Sequence, residues 1–325
     1  MLYGGKGYEL WRWNVLAGSW EFVADFDPGW TRRMSGAVRL TSRLRRDGFY
    51  ALSILPSGDM VAILPGAIAR CPAGAQKFQP TWQIRRGTRP LSMVAVPDGS
   101  LYWGEYYRNS ARSEVHVYGS RDGGCSWDVV YTFGPGQIRH VHSITHDPHR
   151  ACLWMCTGDY GRECRILKVA LDWSTVETVL EGTQQARTVR PVPTPDGLYF
   201  ATDSELEQNH VYWLGDEGSI EPRCATSGPC LSACQVGTAM FFSTDVEPSK
   251  VNREPRACLY GSRDGRTWTR LLAWRKDRWP MTLFQFGNIA LPTGRNDTAY
   301  LAATGVAVEK EDGVTSVWTL TSGTG

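Results

Sequence analysis

Tyr118-Gly119-Ser120-Arg121-Asp122-Gly123-Gly124-Cys125-Ser126-Trp127 returns almost unchanged as Tyr260-Gly261-Ser262-Arg263-Asp264-Gly265-Arg266-Thr267-Trp268. A repeat is read first, because its period dictates the architecture. Ser120 and Ser262 are 142 positions apart, or three units of about 47 residues, the length of one four-stranded propeller blade. The chain of 325 residues divides into seven units of about 46, whereas six or eight would give about 54 or 41. Only seven places a whole number of blades between the copies. The expected fold is therefore all-β: a seven-bladed β-propeller, one domain over residues 1–325.

Outward from the repeat, short apolar runs follow turn signals along the chain. They are Met60-Val61-Ala62-Ile63, Leu101-Tyr102-Trp103, Leu153-Trp154-Met155, Leu198-Tyr199-Phe200, Met240-Phe241-Phe242 and Tyr300-Leu301-Ala302. Such runs, with no helical period between them, predict strands throughout. Arg43, Arg45 and Arg46, the densest basic cluster, read as a solvated loop. A hydrophobic fraction of 42%, with 34 Gly and 18 Pro, suits a turn-rich core protein. The net charge of +2 gives no footprint for nucleic acid. No apolar stretch reaches membrane-spanning length, and the N-terminus lacks the pattern of a signal peptide, which favours the cytoplasm. Nine cysteines without metal-ligand spacing read as buried, reduced thiols.

The two repeated segments resemble the Asp-box (BNR) motif, Ser-x-Asp-x-Gly-x-Thr-Trp, of sialidases and other propellers. Ser126 stands in the threonine place of the first copy, and the second is one residue shorter between Asp264 and Trp268. A short carboxylate can accept hydrogen bonds from amides of its own turn, glycine tolerates positive φ, and the aromatic packs between sheets. The resemblance implies a folding device between the third and outer strands of a blade. It also implies an active site on the opposite face, as in sialidases and propeller lyases. Trp127 and Trp268 are expected to be substantially buried and structural.

On that opposite face lie the segments leaving the second strands and those entering the first. Glu105, Asp159, Asp203 and Asp245 fall at nearly equivalent strand exits, with Tyr106, Tyr160 and Glu205 beside them. Four acids in register can hold sugar hydroxyls, position a base or bind a hard cation; each can also cap its own turn. Arg89, Arg139, Arg187 and Arg190 sit near first-strand starts, where guanidinium groups suit an anionic ligand or pair with the acids. His140 and His142 share one strand face. As a pair they can act as a base and its partner, or hold a metal together with Asp159.

These residue types support a carbohydrate-active propeller acting on an acidic, uronate-containing oligo- or polysaccharide. The reading is an eliminative lyase, with His140 or His142 as base, Tyr106 assisting proton transfer and Arg187 neutralising the carboxylate. No cofactor is required by it, and a divalent cation is an option. Alternatives are a sialidase-like glycoside hydrolase, a non-catalytic glycan-binding propeller and a protein-interaction scaffold. Against sialidase activity, Phe49-Tyr50-Ala51-Leu52 lacks the arginine and proline of the Phe/Tyr-Arg-Ile-Pro motif.

Overall fold

The computed structural model describes residues 1–87, 89–294, 296 and 298–321. Among these residues the strands form seven consecutive antiparallel meanders, at 3–26, 51–83, 94–133, 140–181, 192–225, 230–275 and 288–319. The first and last have three strands and the other five have four. The last strands of the first two meanders join in parallel, with Asp25 opposite Lys77 and Phe26 opposite Phe78. Repeated meanders of this kind are the construction of a β-propeller.

The chain divides into two compact units. The first comprises 1–146, 152–158 and 169–176; the second comprises 147–151, 159–168 and the residues from Glu177 onward. The meander at 140–181 therefore contributes to both.

Side-chain alternation explains how sheets bury both faces. In the first unit all of Met60–Leu64 is buried. Met60, Ala62 and Leu64 enter one core with Tyr8, Leu10 and Phe78. Val61 and Ile63 point the other way, into a second core with Leu101, Trp103 and Trp127. The second unit repeats the scheme in Ala239–Thr244, where Met240 and Phe242 pack with Tyr199 and Phe241 packs with Leu259 and Ile289. A strand buried on both faces reads as a continuous apolar run because neither face meets water. Each such Val, Leu, Ile, Phe or Met side chain contributes roughly 1.5–3 kcal/mol.

The two repeated turns share one design. Ser120 Oγ donates to Asp122 Oδ1 at 2.8 Å and accepts from Gly124 N at 2.8 Å. Asp122 Oδ1 then accepts from the amides of Cys125 and Ser126. Ser262 Oγ likewise donates to Asp264 at 3.0 Å, and Asp264 Oδ1 accepts from Arg266 N and Thr267 N. Burial opposes ionisation of Asp122, yet its bonds to Ser126, Ser120 and Cys125 hold it at about 2. The Thr267 and Arg266 amides do the same for Asp264, at about 2. Both turns link the third and fourth strands of their meanders. Gly265 has φ +68°, and a Cβ there would lie 2.0 Å from Tyr199 Oη, so only glycine fits.

Trp127 is buried, at 4% exposure, as expected. Trp268 is partly buried, packed against the core that holds Met240 and Phe242. Its turn is one residue shorter, and its indole donates to Gly265 O of the same turn at 3.1 Å while the ring faces Phe242 and Tyr199.

The 24 residues between Phe26 and Ala51 also depart from expectation. They form helices Trp30–Ala37 and Arg39–Arg45. Arg43, read as part of a solvated loop, is 3% exposed within the second helix. Arg46 follows as its left-handed cap, with φ 54°. The i, i+4, i+8 spacing of Trp30, Met34 and Val38 is present in the sequence, but it marks an outward face and not a core stripe. All nine cysteines are unbridged and seven are buried, but Cys125 is exposed and Cys224 half-buried, which corrects the expectation of burial for those two. Burial pushes the thiols of Cys164 and Cys234 up to about 12.

Candidate functional site

In the first unit, His140 opens the strand His140–Asp147 and is 4% exposed, with His142 at 2%. His140 Nδ1 lies 2.9 Å from the carbonyl of Tyr107. A carbonyl only accepts, so Nδ1 carries the proton and, in the neutral ring, Nε2 is the acceptor. His142 Nε2, 3.2 Å from His140 Nε2, is then the donor of that bond. Tyr106 lies over His140 with ring centroids 4.3 Å apart. Gly158 lets the His142 ring in: a Cβ at 158 would come within 2.4 Å of it. Gly158→Ala should therefore displace the ring, read as a changed His142 imidazole signal in NMR while His116 keeps its own. An unchanged His142 signal would contradict this packing.

Glu105 follows Leu101–Gly104 at the expected strand exit, but its carboxylate is fully engaged locally. Arg86 grips it at 2.8 and 2.7 Å, and His116 N donates at 2.8 Å. These bonds suit the turn-bracing role, one of the two expected of Glu105. Arg139 donates to Arg108 O at 2.9 Å, and Arg89 is half-buried beside Tyr50 and Arg46.

The second unit gathers the other predicted residues. Asp159 follows the strand Cys152–Gly158, Asp203 lies two residues beyond Gly197–Ala201, and Asp245 directly follows Ala239–Thr244. Backbone bonds pin these exits: Asp203 N donates to Arg187 O at 2.9 Å and Asp245 N to Pro229 O at 2.7 Å. Arg187, 7% exposed, reaches Asp203 Oδ2 at 3.5 Å through Nε and Asp159 Oδ1 at 3.9 Å through Nη2. Both spacings exceed ordinary N–H···O contact. Its guanidinium also lies 5.7 Å from the Tyr160 ring centroid, and Tyr160 donates to Glu205 at 2.5 Å. Arg190 is half-buried three residues further on.

The electrostatics of this cluster are one-sided. Burial pushes Asp203 up to about 8, opposed by Arg187 and reinforced by Glu247 and Asp159. Burial, with Asp203 and Glu247 adding to it, holds Asp245 well above the carboxylate range. Burial likewise raises Glu247 against the pull of Arg187. For Arg187 itself, burial opposes the charge, but Asp203, Asp159, Glu205 and Glu247 outweigh it and raise its pKa. The anion-neutralising role expected of Arg187 thus meets a guanidinium already faced by carboxyl groups.

Glu247 was not singled out in the sequence. It lies two residues beyond the strand-exit register that marked the others, and only the fold shows its charge acting on Asp203. Bracing groups were also missed. Gln184 donates to Asp159 O at 3.1 Å and accepts from Ser204 Oγ at 2.8 Å, and Asn209 and Asn252 both donate to Ser204 O. The cation expectation combined His140 and His142 of one unit with Asp159 of the other.

The raised Asp203 carries a stability consequence. Between about pH 4 and 8 the folded chain keeps a proton that the unfolded chain releases, so stability falls as pH rises across that window. Asp203→Asn should flatten this part of the pH–stability curve in denaturant titrations. An unaltered slope would rule out a proton held at Asp203.

No protein-family model matches this chain, and no curated protein matches it. Solved structures do. The chain is similar to the GH74 xyloglucanase from Xanthomonas campestris, with TM-score 0.62 and 13% identity, over 98% of this chain and 50% of that one. It is similar to the GH74 enzyme of Niastella koreensis, with TM-score 0.54 and 16% identity, over 82% of this chain and 42% of that one. The WD40 propeller domain of Doa1 gives TM-score 0.58 at 8% identity, over 98% and 88%. This chain spans about half the length of the GH74 chains. These likenesses show the fold, a β-propeller.

Proposed function

We propose that this protein is a carbohydrate-active propeller that cleaves glycosidic bonds by acid catalysis at the Arg187 cluster. The observation that carries the reading is a buried arginine among carboxyl groups, with Asp203 holding its proton up to about 8. A glycosidic oxygen leaves as an alcohol only if it is protonated, and a carboxyl group raised by burial is the donor suited to that step at neutral pH. In this reading Asp203 is the acid: its proton goes to the leaving oxygen as the C–O bond breaks, water adds to the sugar carbon, and the proton that the water sheds restores Asp203. Asp159, balanced by Arg187, is the carboxylate that stabilises positive charge developing on the sugar, and Tyr160, 39% exposed, is a platform for a sugar ring. The likeness to xyloglucanases supports neutral glucans as the first substrates to try. The wider proposal takes the seven meanders as seven blades of one domain and the two Ser-x-Asp turns as Asp boxes.

A second reading, eliminative cleavage of a uronate polysaccharide, is favoured by the tilted contact of Tyr106 with His140, beside His142. One experiment separates the two: incubation with xyloglucan and with uronate-containing polysaccharides, reading both new reducing ends and ultraviolet absorbance of an unsaturated product. Reducing ends without absorbance support hydrolysis, and absorbance supports elimination. Binding without either product would point to a glycan-binding module.

A further inference from the structure

Ser204, 1% exposed, ties together the links that bear the Arg187 cluster. The link 202–209 joins the strands Gly197–Ala201 and His210–Leu214 and carries Asp203. The link 245–255 joins Ala239–Thr244 and Arg256–Ser262 and carries Glu247. Ser204 Oγ donates to Gln184 Oε1 at 2.8 Å, and Gln184 Nε2 donates to Asp159 O at 3.1 Å. Arg187 N donates to Gln184 O at 3.2 Å, so this branch includes the arginine.

A second branch is built from two buried amides, whose orientations follow from their partners. Ser204 N only donates and Ser204 O only accepts, so Asn209 turns Oδ1 to the first, at 2.7 Å, and Nδ2 to the second, at 2.8 Å. Thr202 Oγ1 also donates to Asn209 Oδ1 at 2.9 Å, and Asn209 Nδ2 donates to Asn252 Oδ1 at 3.0 Å. Asn252 Nδ2 then donates to the same Ser204 O at 2.9 Å, from 48 residues along the chain. Asn209 is fully buried and Asn252 is 6% exposed. An asparagine that only caps its own turn bonds to sequence neighbours; Asn252 reaches across to the other link. Ser249 fixes Asn252 within its own link, its Oγ accepting from Asn252 N at 3.1 Å. Buried amides hold such an arrangement firmly, because each lost partner strands a polar group away from water.

We infer that Asn209 and Asn252 are positioning residues for the proposed acid: their amide bridge sets how closely the link carrying Glu247 approaches Asp203. The inference rests on the cleavage reading for its consequence in turnover, but the geometry belongs to the free protein. Among charged groups, Arg187, Glu247 and Asp159 act on Asp203, and Asp203 acts in turn on Asp245 and on the thiols of Cys164 and Cys230. Asp159 and Arg187 are held through Gln184, whereas the Glu247 link is held through Asn252. Breaking the amide bridge should therefore take Glu247 from Asp203 and leave Arg187 and Asp159 in place.

The test is a double-mutant cycle between Asn252→Ala and Glu247→Gln, read in the free protein by following the Asp203 carboxyl band against pH in difference infrared spectra. Each single variant should move the midpoint of that band to lower pH, since each takes the Glu247 charge from Asp203. In the Asn252→Ala background, Glu247→Gln should then produce about half its wild-type shift or less, the mark of two coupled sites. Asn252→Ser, which keeps a small polar group in the turn, is the second variant should Asn252→Ala fail to fold. Trp268→Ala, which loosens packing elsewhere in the same unit, should leave the midpoint in place. A wild-type band whose midpoint the Asn252 variants do not move, or which Glu247→Gln shifts equally in both backgrounds, would overturn the positioning role while the cleavage reading stands. A midpoint moved as far by Trp268→Ala as by Asn252→Ala would also overturn it, because the bridge would then be ordinary structural support. A wild type with no such band removes the acid reading, and this inference with it.

Discussion

Asp203→Asn should lower turnover on a cleaved glycan by about 10²–10⁴, the range for losing a general acid, with KM little changed. The amide keeps the shape of the side chain but has no proton to give. Because proton donation matters in the transition state, the loss should fall on kcat. Wild-type activity should hold while Asp203 is protonated and decline as pH rises past about 8. Glu247 supplies a control that a purely structural role would not pass. Its charge helps raise Asp203, so Glu247→Gln should move the alkaline limb to lower pH. An Asp203→Asn enzyme with full turnover, or an alkaline limb indifferent to Glu247→Gln, would remove Asp203 from the chemistry.

The second large effect concerns stability. Trp127→Ala should cost roughly 3–5 kcal/mol, the range for deleting a large buried aromatic. Trp127 is 4% exposed, and its ring meets Trp103 edge-on within the same core as Val61 and Leu101. Trp268→Ala should cost clearly less, since that ring is only partly buried and one of its ties is to its own turn. Equilibrium urea unfolding of both variants decides the matter. Equal losses would mean that burial does not separate the two turns, and a negligible loss at Trp127 would contradict its place in the core.

The repeat made the strand architecture legible, because hydrogen bonding within a Ser-x-Asp turn is local and the residues that make it are adjacent in the chain. The register of strand exits was legible for the same reason, and it located Asp159, Asp203 and Asp245 beside first-strand entries. Register does not reveal charge partners. Glu105 occupies the same kind of exit as Asp203, yet its carboxylate is held by Arg86, 19 residues earlier. Asp203 differs because its surroundings are Arg187, Glu247 and Asp159. The helices at 30–45 were missed because sequence periodicity is read as a core face, and here the apolar period points to solvent.

The account stands on a carboxyl group that remains protonated at neutral pH, and difference infrared spectroscopy reads that group directly. The wild-type protein should show a protonated carboxyl band at pH 7 that fades as pH passes about 8, with Asp203→Asn removing that titrating component. A wild-type spectrum with every carboxyl ionised at pH 7, or a band unchanged by Asp203→Asn, would contradict the account.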